Sequence, residues 1–166
     1  HRCGYCDFVT YAGMEKWIPK YLEAMKKEIL SIGGQTYDVI IPSIFFGGGT
    51  PSYLPTESLI ELLSAIRSVF YLKDNCEISL EANPGTMTRT NLKQLVNAGF
   101  NRISIGVQSA RNDELNLMER IHDVDQAKAA ILDARSAGFQ NLSLDLIYGI
   151  PGQTMDGWLE SLDWAI

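Results

Sequence analysis

Cys3-Gly4-Tyr5-Cys6 puts two thiols in a C-x-x-C pair. Thiolates at that spacing clasp one metal centre from a tight loop. Taken alone, the pair leaves four readings open: an iron–sulfur cluster, zinc, a redox dithiol or a chance spacing. Zinc is short of partners, because there is no second C-x-x-C and His1 and His122 are the only histidines. Phe46-Gly47-Gly48-Gly49-Thr50-Pro51-Ser52 is the second segment. Glycine backbone can approach a ligand closely and expose its N–H and C=O groups; the alternative is a plain turn. The Gly-Lys-Ser/Thr ending of a phosphate-cradling loop is missing. Glu81 follows an apolar stretch, and a carboxylate there can accept two ribose hydroxyls or sit as a solvated strand end. Asp145 stands between Leu144 and Leu146. A buried Asp needs a partner, so it reads as a functional group or a structural bond. Arg120 suits a ligand carboxylate by bidentate geometry, or else caps a surface helix. Gln108 is similarly two-sided.

The elements that must position these residues alternate. Apolar residues from Met14 to Leu30 recur at helical spacing, and Gly33-Gly34 closes that helix. Val39–Phe46 reads as a buried strand. A helix begins at Thr56. Cys76–Leu80 is a short strand stopped by Asn83-Pro84-Gly85, and Thr88–Ala98 is a helix closed by Gly99. Arg102–Val107 is a strand, Asn112–Met118 a short helix, Val124–Ala137 a longer one closed by Gly138, and Leu142–Ile147 a strand. Thr154 opens the last helix. Alternation of this kind implies βαβ units and a parallel sheet, either doubly wound or a (β/α) barrel. No G-x-G-x-x-G opens a helix, which weighs against a dinucleotide fold. Gly47–Thr50, Glu81–Asn83, Gln108, and Asp145 with Gly149–Gly152 all follow strand ends, the edge where such folds bind ligands. Cys76 reads as a small buried hydrophobe, His122 as a cap or surface residue, and Trp17, Trp158 and Trp164 as core.

Composition narrows the function classes. The chain has 166 residues, 46% hydrophobic and 20% charged, enough to bury a core. Lys plus Arg is 14 against 20 Asp plus Glu, a net charge of −6, with no basic run for a nucleic-acid backbone. No apolar run approaches the roughly 20 residues that span a bilayer, and no secretory leader opens the chain. Three cysteines make no disulfide framework, so a cytoplasmic protein is expected.

In order, His-Arg-Cys-Gly-Tyr-Cys-Asp-Phe, Phe-Gly-Gly-Gly-Thr-Pro-Ser-Tyr-Leu, Glu-Ile-Ser-Leu-Glu-Ala-Asn-Pro, Asn-Arg-Ile-Ser-Ile-Gly-Val-Gln-Ser and Leu-Asp-Leu-Ile-Tyr-Gly-Ile-Pro-Gly-Gln-Thr are spread along nearly the whole chain. This series resembles the radical S-adenosylmethionine proteins related to oxygen-independent coproporphyrinogen III oxidase, and most of all their heme chaperone branch. The resemblance implies an α/β fold: part of a (β/α) TIM-like barrel, with residues 1–166 forming one piece of a single core domain. The family's first strand would lie before Cys3 and the C-terminal part beyond Ile166. Such a part-barrel leaves strand edges unpaired.

The resemblance also implies ligands. The family's cluster motif is C-x-x-x-C-x-x-C, and Cys3 and Cys6 match its second and third cysteines as metal ligands. The first falls two residues before His1, outside the sequence, and two thiolates hold a [4Fe–4S] cluster poorly. Tyr5 would pack near adenine. Gly48, Gly49 and Thr50 would present backbone to the methionine end, and Glu81 would take the ribose hydroxyls. Gln108, Arg120 and Asp145 would complete the S-adenosylmethionine pocket. No catalytic residue is assigned. The oxidase branch carries a further cysteine where this chain has Phe8, which favours the chaperone branch. The implied partners are heme or a porphyrinogen, heme-acceptor proteins and an electron donor. An oxidase would use a 5′-deoxyadenosyl radical to decarboxylate coproporphyrinogen III. A third reading is an inert barrel fragment with a spare C-x-x-C.

Overall fold

The computed structural model describes residues 2–9, 11–33 and 39–166. A 3-10 turn at Glu15–Trp17 leads into α1 (Ile18–Gly33). Then follow β1 (Ile40–Phe46), a 3-10 turn at Pro51–Tyr53, α2 (Thr56–Val69), β2 (Tyr71–Ala82), α3 (Arg89–Ala98) and β3 (Arg102–Gln108). The chain continues through α4 (Asn112–Leu117), α5 (Val124–Ala137), β4 (Asn141–Leu146) and α6 (Met155–Ala165). Local chemistry sets the helix ends. Thr88 and Asn91 close a reciprocal capping box on α3, as Asp123 and Gln126 do on α5.

All strand pairs are parallel, in the order β1-β2-β3-β4. Sequential order has no reversal point, so the winding is that of a barrel wall rather than a doubly wound sheet. The four-stranded sheet with its helices is a partial TIM-like barrel. Period-2 alternation sorts the strands into two faces. Ile78, Leu80, Ile103, Ile105 and Val107 are buried and join Leu59 and Leu63 of α2, Leu95 of α3 and Ala127 and Ala134 of α5 in one core. Burying each large apolar side chain of that set contributes about 1.5–3 kcal/mol. On β2, β3 and β4 the other face is polar, while β1 adds Phe45 beside Ser79. Arg102 Nη1 donates to Ser79 Oγ at 2.9 Å and its Nη2 to Ser143 Oγ at 2.8 Å, tying β2, β3 and β4 together.

Several sequence expectations need correction. Strand β2 is longer than Cys76–Leu80: Tyr71 and Leu72 already pair with Ile40 and Ile41, and the register then jumps to Ser43 with Glu77. The polar Lys73-Asp74-Asn75 segment lies within that irregularity and hides the strand from a hydrophobic reading. Helix α1 starts at Ile18 rather than Met14, because residues 15–17 tighten into a 3-10 turn. It runs through Gly33; Gly34, read as part of its stop, lies outside the described residues. Trp17 is not core but 46% exposed. Trp164 packs partly against the core, and Trp158 is half-buried with Tyr148 at 5.9 Å. Cys76 is buried as expected, and burial pushes its thiol pKa up.

Candidate functional site

The site is built on what leaves the C-terminal ends of the strands. After β1, Gly48 turns at φ +116°, a conformation that favours glycine. Its N–H donates to Glu81 Oε2 at 3.2 Å, joining the β1 loop to the end of β2. Past Glu81, Asn83 works in three directions. Its backbone N–H donates to Ser52 Oγ at 3.1 Å, its Nδ2 to Thr50 Oγ1 at 3.2 Å, and its Oδ1 accepts from Arg120 Nη2 at 2.8 Å. Ser52 and Thr86 complete the loop, 2.7 Å apart, with Thr86 donating to Asn83 O.

Arg120 reaches this point by a sharp exit from α4. Glu119 takes a left-handed φ of +56°, and Arg120 N–H closes back on Leu115 O at 2.9 Å. The guanidinium then spans the N-terminal loop and the sheet. Nη2 also donates to Gly106 O at 2.8 Å, while Nη1 lies 3.6 Å from Cys3 Sγ and 3.3 Å from Tyr5 Oη. One prong of the fork is therefore already engaged by protein acceptors. Arg120 Nε is buried, with no hydrogen-bond partner among the described residues. An unsatisfied buried donor is costly, and a ligand acceptor would relieve it. Tyr5 stays a neutral phenol: burial raises its pKa, against the opposing pull of Arg120.

The cysteine loop is tight. Cys6 N–H donates to Cys3 O at 3.0 Å, Arg2 Nη2 to Cys6 O at 2.8 Å, and Gly4 N–H to Met118 O at 3.3 Å. Both thiols are free and half-buried. No group of three His, Cys, Asp or Glu side chains is arranged to hold a metal ion among the described residues. Cys3 and Cys6 thus fit two positions of a thiolate cluster site, and no described residue supplies the third.

Gln108 and Asp145 lie on the same face. Gln108 leaves β3 in the left-handed region at φ +74°, where the β3–β4 register shifts, and its carbonyl accepts from Ile147 N–H at 2.9 Å. Strain of this kind persists where the surroundings hold it, often at binding sites. Asp145 is exposed rather than buried, correcting the sequence expectation. Alternation turns it away from Leu144 and Leu146 onto the polar face, where Ser104 Oγ donates to its Oδ1 at 2.8 Å. Hydrogen bonds thus link Gly48 with Glu81, and Thr50 with Arg120, Tyr5 and Cys3 through Asn83. Among the described residues, Asp145 meets the set through the sheet, and no such bond ties Gly49's backbone N–H or Cys6's thiol to the others.

Two members have no site role in the sequence reading. Asn83 stands at the ligand edge within Glu81–Asn83 and reads there as part of a strand stop, with no part in the pocket. His122 is 5% exposed, neither cap nor surface. Its Nε2 lies 3.1 Å from Val107 O and its Nδ1 3.4 Å from Arg120 Nη2. Burial, with help from Arg120, pushes its pKa down. Outside this network, Glu114 is buried and accepts from Ser109 Oγ at 2.6 Å and Gln153 Nε2 at 3.1 Å. Gln153 Oε1 accepts from Gly149 N–H at 2.8 Å, so these bonds fix the β4–α6 loop.

Known proteins can now be set beside this geometry. The chain is 38% identical over 170 residues to the heme chaperone HemW of Haemophilus influenzae, covering 99% of this chain and 44% of that protein. It is 37% identical over 167 residues to HemW of Bacillus subtilis, covering 100% and 44%. The chain therefore spans less than half the length of these curated relatives. Among solved structures, the coproporphyrinogen III oxidase HemN of Escherichia coli, a radical SAM enzyme, superposes with a TM-score of 0.86 at 30% identity. That match covers 96% of this chain and 37% of HemN. The family model for the radical SAM superfamily matches residues 1–165, and the chain belongs to that superfamily.

Proposed function

We propose that this chain is the cluster- and S-adenosylmethionine-binding part of a heme-handling protein, a heme chaperone. The observation that carries the reading is the Arg120 guanidinium. It joins the Cys3-Tyr5 loop to Asn83 and Gly106 and keeps a buried Nε without a partner. A [4Fe–4S] cluster would be held in part by Cys3 and Cys6, and in this superfamily it supplies an electron to S-adenosylmethionine. The chain's own residues do the binding. Arg120 meets the ligand's carboxylate with a charge-assisted bond, and Glu81 and Asp145 offer acceptors to hydroxyl and amino groups. The Gly48–Thr50 backbone shapes the methionine end, Tyr5 packs beside the base, and Gln108 completes the wall.

Residues 1–166 act as part of one core domain, in the cytoplasm, where free thiols persist. Heme is the cargo on this reading, passed to acceptor proteins. The likeness to HemN favours a second reading, an oxidase of coproporphyrinogen III fed by an electron donor. Phe8, standing where the oxidase branch has cysteine, favours the chaperone. The test is anaerobic reconstitution of the intact protein, with iron and acid-labile sulfide measured per chain, followed by heme binding and porphyrinogen turnover. About four of each, with heme bound and no decarboxylated product, is the expected result. Product formation selects the oxidase, and absence of iron and sulfide rejects both readings.

A further inference from the structure

We infer that His122 is a positioning residue: as a neutral imidazole protonated on Nε2, it holds the Arg120 guanidinium in the orientation that meets a ligand carboxylate. This rests on the functional reading above and extends it to a residue that touches no ligand itself.

The tautomer follows from the partners. Val107 O can only accept, so the Nε2 that lies 3.1 Å from it carries the proton. In a neutral ring the other nitrogen is then an acceptor. That nitrogen, Nδ1, faces Arg120 Nη2 at 3.4 Å. The ring therefore reads Arg120 on one side and the β3 backbone on the other. Arg120 already rests on Asn83 Oδ1 and Gly106 O, each at 2.8 Å. Those two acceptors take both Nη2 protons, so His122 Nδ1 at 3.4 Å is a third, weaker acceptor that shares one of them and closes the cradle from the side of its own loop.

A charged imidazole cannot do this. It would turn an Nδ1–H donor toward an Nη2 donor and set two positive charges side by side. Among the described residues, the charged groups acting on the ring are Arg120 and Asp123. Burial and Arg120 oppose the charge, and Asp123 favours it. The ring sits 5% exposed, so water cannot take over the broken contacts.

The experiment uses the intact, anaerobically reconstituted protein and two probes, S-adenosylmethionine and 5′-methylthioadenosine, which lacks the amino-acid carboxylate. His122→Phe keeps a ring without nitrogens. His122→Asn keeps an acceptor where Nδ1 stood and cannot titrate. His122→Phe should weaken S-adenosylmethionine binding about fivefold, less than a full hydrogen bond to a charged group because the proton is shared, and leave 5′-methylthioadenosine unchanged. His122→Asn should restore affinity to within about twofold of the parent. Burial and Arg120 push the His122 pKa down, so as the pH falls below about 6.5 the parent should lose affinity for S-adenosylmethionine and His122→Asn should not.

A merely structural histidine would weaken both probes alike and give no rescue by Asn. Equal loss for both probes, or a parent pH profile that matches that of His122→Asn, overturns the inference. A parent that binds no S-adenosylmethionine at all overturns the functional reading instead. In that event nitrogen-15 NMR of the His122 ring decides the hold on Arg120. An Nε2–H neutral tautomer at pH 7 supports it, and an Nδ1–H or charged ring rejects it.

Discussion

Replacing Gly106 with alanine should damage the site while sparing the fold, and the distances say why. A methyl group at Gly106 would stand 2.8 Å from Gln108 Nε2 and 2.9 Å from Asn83 Oδ1. Both atoms end side chains that can rotate away, so the backbone has no need to move. Gly106 is not in the left-handed region, and alanine can adopt its strand conformation. The unfolded-state entropy of alanine even favours the variant by about 0.4–1 kcal/mol. The cost falls on Gln108, whose amide must move aside, and above all on Arg120, because the displaced Asn83 Oδ1 is its 2.8 Å acceptor. A hydrogen bond to a charged group is worth about 1.5–3 kcal/mol. If Arg120 loses that much of its orientation, affinity for S-adenosylmethionine drops by about 10- to 150-fold. The assay is the Kd of the reconstituted protein for S-adenosylmethionine, beside the urea midpoint of both proteins. An unchanged Kd would refute the claim that Asn83 holds Arg120 for the ligand. A collapse of the urea midpoint would show that the strand backbone, not the side chains, absorbs the methyl group.

Two further substitutions separate stability from binding. Arg102→Met removes the donors to Ser79 and Ser143 and should cost about 1–3 kcal/mol of unfolding free energy. S-adenosylmethionine Kd should stay within about twofold, since distant sites act independently; urea titration and a binding isotherm check both halves. Leu80→Ala, at a fully buried position in the core, should cost about 2–5 kcal/mol, read as a shift of the urea midpoint at unchanged slope.

The alternation of strand and helix was plain in the sequence because each strand is punctuated. Glycines close Val39–Phe46, Asn83-Pro84-Gly85 follows β2, and capping residues open α3 and α5. Boundaries failed where a local preference was overruled, as at Lys73-Asp74-Asn75, whose polarity masked a strand held by its neighbours. The site was half legible. Residues that follow a strand end in a parallel fold face one edge by topology alone, so Gly48, Thr50, Glu81 and Gln108 could be grouped from spacing. The side-chain relay could not. Nothing about Asn83 or His122 in the linear chain says that both converge on Arg120, because the convergence depends on the left-handed turn at Glu119 and on the depth of the β3 edge.

Asp145 shows how the same pattern was both seen and misread. Glu77, Ser79 and Glu81 alternate with Ile78, Leu80 and Ala82. Arg102, Ser104 and Gly106 alternate with Ile103, Ile105 and Val107, and Asn141, Ser143 and Asp145 with Leu142, Leu144 and Leu146. An acid between two leucines on a strand is therefore not among them; it is on the opposite face. Parallel sheets are usually apolar on both faces, so a polar face repeated over three adjacent strands asks for a reason. Its lower tier answers to itself, since Arg102 satisfies Ser79 and Ser143. Its upper tier does not close in the same way. Glu81 takes one backbone N–H and Asp145 one serine hydroxyl, while each ionised carboxylate can accept about four hydrogen bonds. In barrel folds the lower end serves stability and the C-terminal end serves function, and here the division follows from counting donors against acceptors tier by tier. The surplus of acceptors at the upper tier, at the same sheet edge as Arg120 with its buried, unpartnered Nε, fits the proposed ligand, which carries hydroxyl and amino donors and a carboxylate.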